Sequence, residues 1–256
     1  MCFDLDSAPP IKQLAGAVVD HSSLTLKASD GNVFRAFHAW PGEKTGKAIV
    51  ILPDVRGLHH YYEELAVRFA EIGVEAMAID YFGRTAGTGS RGEDFDYQPH
   101  VAQTTWEGTA ADLRSAVDYI RSQSGPAAPA IFAIGFCMGG RNAFLSSTLD
   151  QGLAGVIGFY GFPAGPGRNG GPAPMDVIGR IECPVLGIFG GADQAIPVAT
   201  VQQFRDALAT AGLEHEIVVE PDAPHSFFDR KAEEFRKQSE DSWERVQHFL
   251  EAHPAN

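Results

Sequence analysis

Apolar residues fall into six short runs separated by longer amphipathic segments, which predicts a buried β-sheet. Continuous apolar runs of this length are typical of strands that are covered on both faces. Most of them alternate with segments of helical period, as in βαβ units. The runs read KAIVILPD, VEAMAIDYF, AIFAIGFC, GVIGFYG, PVLGIFGGAD and EIVVEPDA. The pattern predicts an α/β fold with a doubly wound, mostly parallel sheet.

The segments between these runs repeat their apolar residues at spacings of three and four, as helices do. Leu65, Phe69 and Ile72 mark one such helix, which Gly73 ends. Three further helices are marked in the same way by Leu113, Val117 and Ile120, by Val201, Phe204 and Leu208, and by Trp243, Val246 and Leu250. The helix expected directly after Cys137 is less clearly amphipathic, as a central buried helix would be.

Two other stretches have a distinct character. Residues 24–40, LTLKASDGNVFRAFHAW, place an Asp-Gly turn between extended segments and predict an antiparallel hairpin at the N-terminal edge of the sheet. Residues 161–174, GFPAGPGRNGGPAP, are rich in glycine and proline but lack the Gly-Lys-Ser/Thr ending of a phosphate loop, so we expect a flexible surface loop there. Since no repeat and no linker divides the chain, we expect one α/β domain.

Charge and cysteine usage narrow the class of partner. The formal net charge of −13 argues against nucleic acid or an anionic membrane as partner, because both recruit basic patches. A small molecule is the better expectation, and an anionic one would need a local arginine. No apolar stretch has the length of a signal peptide or membrane span, so we expect a cytoplasmic protein. Three cysteines, Cys2, Cys137 and Cys183, are expected to be free thiols.

Cys137 lies at the junction of a predicted strand and a predicted helix, in the pattern Gly-x-Cys-x-Gly. Gly135 and Gly139 flank it, and close backbone approach at a nucleophile turn favours such small residues. The start of a helix favours a thiolate, and the backbone N–H of Met138 is placed to stabilise an oxyanion. Cys137 is therefore the candidate nucleophile.

A cysteine nucleophile needs a base and an acid that orients it, and the chain supplies both in the order nucleophile, acid, histidine. Asp193 follows one apolar run, and His225 follows the next. Both are expected at the carboxyl edge of the sheet, where ligand sites gather in open α/β sheets. Asp222 is a rival acid whose nearness to the histidine favours a turn. No histidine spacing matches a metal site, so neither a metal nor another cofactor is predicted.

These motifs together resemble the dienelactone hydrolase family of the α/β-hydrolase fold. Cys137 lies in GFCMGG, Asp193 in GGADQAIP and His225 in APHSFF. The resemblance spans about residues 24 to 252 and includes ILPDVRGLHHYYEELAVRFAEIGVEAMAIDYFGR. It implies that Cys137 is the nucleophile, His225 the base and Asp193 its orienter. It also implies that the backbone N–H groups of Val55 and Met138 form the oxyanion hole.

The resemblance also implies which residues bind substrate, and the chain departs from the family there. Asp54 stands where the best-studied members carry glutamate, and Arg84 matches an arginine that holds the substrate carboxylate. A second arginine of the family is replaced by Asp229, with Arg230 one position later. Tyr160, at the end of the GVIGFYG run, is also expected to contact substrate.

The resemblance implies hydrolysis of an ester or lactone through a thioester, most specifically of carboxylated enol lactones. One alternative is a thiol carboxylesterase that acts on an uncharged ester, and another is a non-catalytic binding protein of the same fold. Residues 1–23 precede the resemblance and are predicted to form an arm before the domain of residues 24–256. No nucleic acid or membrane partner is expected, and the protein is predicted to be a monomer or homodimer.

Overall fold

The structure, a computed structural model, describes residues 7–92, 94–123, 128–229 and 231–254. One sheet of eight strands runs through it in the order β1-β2-β4-β3-β5-β6-β7-β8. The strands are β1 (Val19–Lys27), β2 (Val33–Pro41), β3 (Lys47–Leu52), β4 (Val74–Ile79), β5 (Ala130–Phe136), β6 (Gly155–Phe159), β7 (Val185–Gly190) and β8 (His215–Glu220). β1 pairs antiparallel with β2 and β2 antiparallel with β4, while the other neighbours are parallel.

Helices lie between the strands in the chain. They are α1 (His60–Glu71), α2 (Gly83–Ala86), α3 (Gln98–Val101), α4 (Trp106–Gln123), α5 (Met138–Ser146), α6 (Val198–Thr210) and α7 (Arg236–Ala252), with a 3₁₀ helix over Pro174–Arg180. Every residue of strands β4 to β7 and of helix α5 is buried. The doubly wound α/β fold predicted from the apolar runs is confirmed, including the central helix that lacks an amphipathic pattern.

The N-terminal hairpin is confirmed, and it is longer than the sequence suggested. β1 begins at Val19, so residues 19–23 of the predicted arm belong to the sheet. The described residues before β1 lie against α1, where the backbone N–H of Leu14 donates to Glu71 Oε2 at 3.1 Å. The first six residues, including Cys2, lie outside the described part of the chain.

The parallel strands bring the candidate residues to one edge of the sheet. Cys137 directly follows β5, Asp193 follows β7 and His225 follows β8. Parallel strands end on the same side of a sheet, so three residues that are far apart in sequence share the carboxyl edge. The turn after β3, which carries Asp54 and Val55, ends at this edge as well.

Candidate active site

Cys137 occupies a strained turn between β5 and α5. Its φ of 56° and ψ of −112° lie in a region that non-glycine residues rarely adopt. The backbone N–H of Cys137 donates to the carbonyl of Phe159 at 3.0 Å, which ties the turn to the neighbouring strand β6. Strain of this kind persists only where the surroundings enforce it, and it is typical of functional positions.

The glycines around Cys137 are explained by backbone packing. A Cβ atom on Gly135 would overlap the carbonyl of Gly139, and one on Gly139 would overlap the carbonyl oxygens of Leu52 and Pro53. Gly140 packs just as closely on the backbone after β6. The spacing Gly-x-Cys-x-Gly-Gly therefore lets the first turn of α5 lie directly against the end of β3.

That contact brings the first turn of α5 next to the segment that follows β3, and each carries one of the two backbone donors predicted to form the oxyanion hole. Met138 is the first residue of α5, where an N–H group has no partner within its helix. Nor does the N–H of Val55, in the turn that follows β3, find a protein acceptor among the described residues. Its neighbours are held otherwise, because Asp54 N–H donates to Tyr62 Oη at 3.0 Å and Arg56 N–H to Asp54 Oδ1 at 2.8 Å.

His225 and Asp193 are hydrogen-bonded, with 2.7 Å between His225 Nδ1 and Asp193 Oδ2. The other carboxylate oxygen of Asp193 accepts the backbone N–H groups of Ala195 at 2.8 Å and Ile196 at 3.2 Å. The Asp193 side chain is 1 % exposed and that of His225 is 24 % exposed. Because a carboxylate only accepts, Nδ1 carries the proton, and Nε2 is left as the basic nitrogen.

Asp222, the alternative candidate for the acid, is a turn residue. It lies immediately after β8 with a φ of 58° and its side chain is exposed. Aspartate tolerates this left-handed conformation better than most residues, and the histidine bonds to Asp193 instead.

Tyr160 packs against the ring of His225. Its ring centroid is 4.9 Å from that of His225, and its hydroxyl donates to Asp229 Oδ2 at 3.2 Å. The whole residue is buried, with no exposed surface to offer a substrate, so the structure places it in a supporting position. Phe162 also packs near the histidine, with 5.6 Å between ring centroids.

A cavity of about 150 Å³ opens beside Cys137. It is lined by Cys137, Met138, Arg141, Phe162, Pro166, Gly167 and Arg168. Phe162 lines this cavity and also packs near the ring of His225, so the histidine lies behind the part of the cavity wall that Phe162 forms. Four of the lining residues come from the stretch 161–174, which the sequence predicted to be a flexible surface loop.

That stretch is anchored by one buried side chain, which corrects the prediction. Arg141, in the first turn of α5, is 3 % exposed and directs its guanidinium at main-chain carbonyls. The acceptors are Phe162 at 3.2 Å, Ala164 at 3.3 Å, Gly165 at 2.8 Å, Gly171 at 3.4 Å and Pro172 at 2.9 Å. Burial lowers the pKa of Arg141. The signal in the sequence is a lone charge within the otherwise uncharged MGGRNAFLS.

Arg84, predicted to bind a substrate carboxylate, is engaged elsewhere. It donates to Asp30 Oδ2 and to Asp112 Oδ2, both at 2.5 Å. Asp112, which is buried in α4, also accepts from Asn32 Nδ2 at 3.0 Å. The hydrogen bond from Arg84 holds the pKa of Asp30 below its ordinary value. The structure thus ties Arg84 to the β1–β2 turn and α4, and it does not line the cavity beside Cys137.

Of the remaining predicted residues, Asp54 lies near Tyr61. Asp54 is fully buried, and burial together with the charges of Asp229 and Asp54 raises the pKa of Tyr61 well above its ordinary value. The neutral Tyr61 hydroxyl donates to the carbonyl of Phe228 at 2.9 Å, beside the histidine loop. Arg230 lies outside the described residues.

Within residues 7–92, 94–123, 128–229 and 231–254, no three histidine, cysteine or acidic side chains are grouped as metal ligands. No helix in the same ranges has the length and apolar character needed to cross a membrane.

Comparison with known proteins decides the family. The family model of the dienelactone hydrolases, described as "Dienelactone hydrolase family", matches residues 34–254. The chain belongs to the dienelactone hydrolase family. It is accordingly a hydrolase that acts on esters or lactones, as the motifs around Cys137, Asp193 and His225 led us to expect.

Relatives of this dienelactone hydrolase family member align along nearly its whole length. A protein of Escherichia coli strain K12 named "Putative carboxymethylenebutenolidase" is 28 % identical, with 93 % of this chain and 92 % of that protein covered. One of the same name from Saccharolobus solfataricus is 29 % identical, with 87 % and 95 % covered. The crystal structure of "Putative Dienelactone Hydrolase from Klebsiella pneumoniae subsp. pneumoniae MGH 78578" superposes with a TM-score of 0.79 at 26 % identity, covering 91 % of this chain and 98 % of that one.

Proposed function

We propose that the protein hydrolyses its ester or lactone substrate through a thioester on Cys137, with His225 as base and Asp193 as its orienter. The observation that carries the proposal is the 2.7 Å bond between His225 and Asp193 at the sheet edge where Cys137 is held at a φ of 56°. A binding protein would need neither the strained cysteine nor the oriented histidine, so a non-catalytic role has no support of its own.

In the acylation step, the Cys137 thiolate attacks the substrate carbonyl carbon and a C–S bond forms. The resulting oxyanion is stabilised by the N–H groups of Val55 and Met138, and one such donor contributes about 3 to 4 kcal/mol in comparable sites. The C–O bond to the leaving group then breaks. An enol ester releases a stabilised enolate, which competes well with the thiolate as leaving group, whereas a simple alkyl ester does not.

In the deacylation step, water attacks the thioester carbonyl. His225 Nε2 takes a proton from that water, and the carboxylate of Asp193 stabilises the imidazolium that forms. The C–S bond breaks, the carboxylic acid forms and the thiolate is regenerated, while the His225 imidazolium gives its proton to the enolate or alkoxide released in the acylation step. Both steps use the same oxyanion donors, and the cycle needs no cofactor.

For the substrate, we propose a carboxylated enol lactone of the dienelactone type. Support comes from family membership and from the name carried by the relatives in Escherichia coli and Saccharolobus solfataricus. One observation favours an uncharged ester instead: Arg84, the expected carboxylate ligand, is held by Asp30 and Asp112. A thiol carboxylesterase for uncharged esters is therefore the second candidate function.

The two candidates are separated by comparing a dienelactone that carries a free carboxylate with p-nitrophenyl acetate as substrates. We expect the dienelactone to have the larger kcat/KM and Cys137→Ala to abolish turnover of both. Faster turnover of p-nitrophenyl acetate would favour the carboxylesterase. Cys183→Ala is the matched control, because burial and then the neighbouring Glu182 raise the pKa of Cys183 to about 12 and keep it a thiol.

A further inference from the structure

The cavity beside Cys137 is cationic. Arg141 and Arg168 line it, and no acidic side chain is among its lining residues within the described chain. This is unusual for a protein whose formal net charge is −13. The negative charge of the whole protein repels an anionic substrate, and a local cation can offset that repulsion at the binding site.

Of the two arginines, Arg141 is fixed. Its terminal nitrogens donate hydrogen bonds to main-chain carbonyls of the stretch 161–174, and the residue is buried. Its Nε lies against Gly167, where a Cβ atom would come within 2.9 Å of it. Arg141 therefore contributes charge and holds the loop, while the absence of a side chain at Gly167 keeps space open beside it.

Arg168 combines a backbone that is held in place with an exposed side chain. Its side chain is exposed and, over the described ranges, forms no ion pair, in contrast to Arg84 and Arg91, which are paired with aspartates. Its backbone is secured by the next residue: Asn169 Nδ2 donates to Asn142 Oδ1 at 3.0 Å, and the Asn169 carbonyl accepts from Trp106 N–H at 2.9 Å. A fixed backbone with a free guanidinium suits the recognition of an anion.

We infer that Arg168 is the residue that binds the substrate carboxylate while Cys137 attacks. The inference rests on the proposed function and names the group that sets its preference for acidic substrates. A guanidinium binds a carboxylate with two parallel hydrogen bonds, which orients the substrate as well as attracting it. Arg141 is a positioning residue that holds the Arg168 loop against the cysteine.

The first test does not depend on hydrolysis. Iodoacetate and iodoacetamide alkylate the same thiolate by the same displacement of iodide, but only iodoacetate carries a carboxylate. The quantity measured is the rate of Cys137 alkylation by iodoacetate divided by the rate by iodoacetamide, followed by peptide mass spectrometry. We expect Arg168→Gln to lower this ratio about tenfold. Arg180→Gln, which removes an exposed arginine that does not line the cavity, should leave the ratio unchanged. An unchanged ratio in Arg168→Gln would overturn the inference.

The second test uses hydrolysis of two esters with the same leaving group, mono-p-nitrophenyl adipate and p-nitrophenyl pentanoate. Arg168→Gln should raise KM for the adipate and lower its kcat/KM about tenfold more than that of the pentanoate. Arg168→Lys should recover part of the difference, since it restores charge but not the bidentate geometry.

The two tests separate the failure of this inference from that of the proposed function. If wild type hydrolyses both esters through Cys137 and Arg168→Gln changes them equally, the hydrolase proposal stands and Arg168 is not the carboxylate ligand. If wild type hydrolyses neither ester, the proposed function fails, and the alkylation ratio alone then decides whether Arg168 binds anions beside Cys137.

Discussion

The two segments that border the cavity are held in place by different means. The turn of residues 135–140 is fixed by backbone against backbone, with no room for a single extra carbon atom at Gly135 or Gly139. The loop of residues 161–173 is fixed by the side chain of Arg141, which reaches five of its carbonyls. The proposed chemistry of Cys137 therefore depends on a rigid backbone frame, whereas the proposed selectivity depends on a loop that a single substitution at Arg141 can loosen.

The most severe way to break the rigid frame is Gly139→Val. The added side chain would overlap the carbonyls of Leu52 and Pro53, so the turn and the end of β3 must separate. Overpacking of this kind costs about 1 to 3 kcal/mol or more of the free energy of unfolding, and we expect the esterase activity to be lost. Urea denaturation and kcat/KM measure the two effects.

The matched control is Gly179→Ala, because a Cβ atom there meets no other atom within 4 Å. It should change stability by less than about 0.5 kcal/mol. Wild-type activity in Gly139→Val would contradict the role of backbone packing in placing Cys137.

Arg141→Lys tests the second segment. Lysine keeps the charge but cannot reach several carbonyls at once with a planar fork, so the loop should loosen. We expect a loss of about 2 kcal/mol in the free energy of unfolding and faster amide hydrogen exchange in the loop. Arg205→Lys, at an exposed position of α6, is the control. Unchanged exchange in Arg141→Lys would mean that the loop is held by something else.

Arg84 differs from Arg141 in its partners, because among the described residues it forms ion pairs with aspartates and not hydrogen bonds to main-chain carbonyls. Arg84→Met leaves the buried carboxylate of Asp112 without its cation and should cost about 1 to 3 kcal/mol of stability. The double variant Arg84→Met with Asp112→Leu should recover part of that loss. If a double-mutant cycle gives no coupling, the pair has no structural role, and Arg84 becomes available for the substrate role that the family resemblance implies.

The smallest expected effect concerns His59, whose ring packs against Tyr62, the residue whose hydroxyl accepts the backbone N–H of Asp54. His59 precedes α1, and burial, with smaller contributions from Arg56 and His60, lowers its pKa from 6.5 to about 3. The unfolded chain binds this proton near pH 6.5 and the folded chain only near pH 3, so the stability contributed by neutral His59 is lost as the pH falls through that window.

Comparing wild type with His59→Gln in urea at pH 7 and pH 5.5 measures this contribution. The wild type should lose about 1 kcal/mol more than the variant between the two values. Equal losses would show that His59 does not resist protonation in the folded state.

The comparison of the two segments also explains what the sequence could predict. The turn at Cys137 was predictable because its cause is local: a strand, a glycine spacing and a helix lie next to one another in the chain. Asp193 and His225 were predictable because parallel strands deliver their ends to one edge. Each of these inferences needs only short-range patterns and one rule of topology.

The loop was not predictable by the same means. Its order comes from Arg141, which precedes the first carbonyl that it bonds, that of Phe162, by 21 residues, and glycine-rich composition alone indicates flexibility. Likewise, the commitment of Arg84 depends on Asp30 and Asp112, which meet it only in the folded chain. Whether an arginine can bind a substrate depends on side-chain partners that are distant in sequence. The spacing of apolar residues along the chain carries no information about these partners.

The most direct test of the central claim is to look for the acyl group on Cys137. Wild type mixed with p-nitrophenyl acetate and quenched in acid should carry an acetyl group on the peptide that contains Cys137, and Cys183→Ala should carry the same label. Cys137→Ala should lose the label and about a thousandfold or more of kcat. Hydrolysis at the wild-type rate by Cys137→Ala would contradict the thioester mechanism.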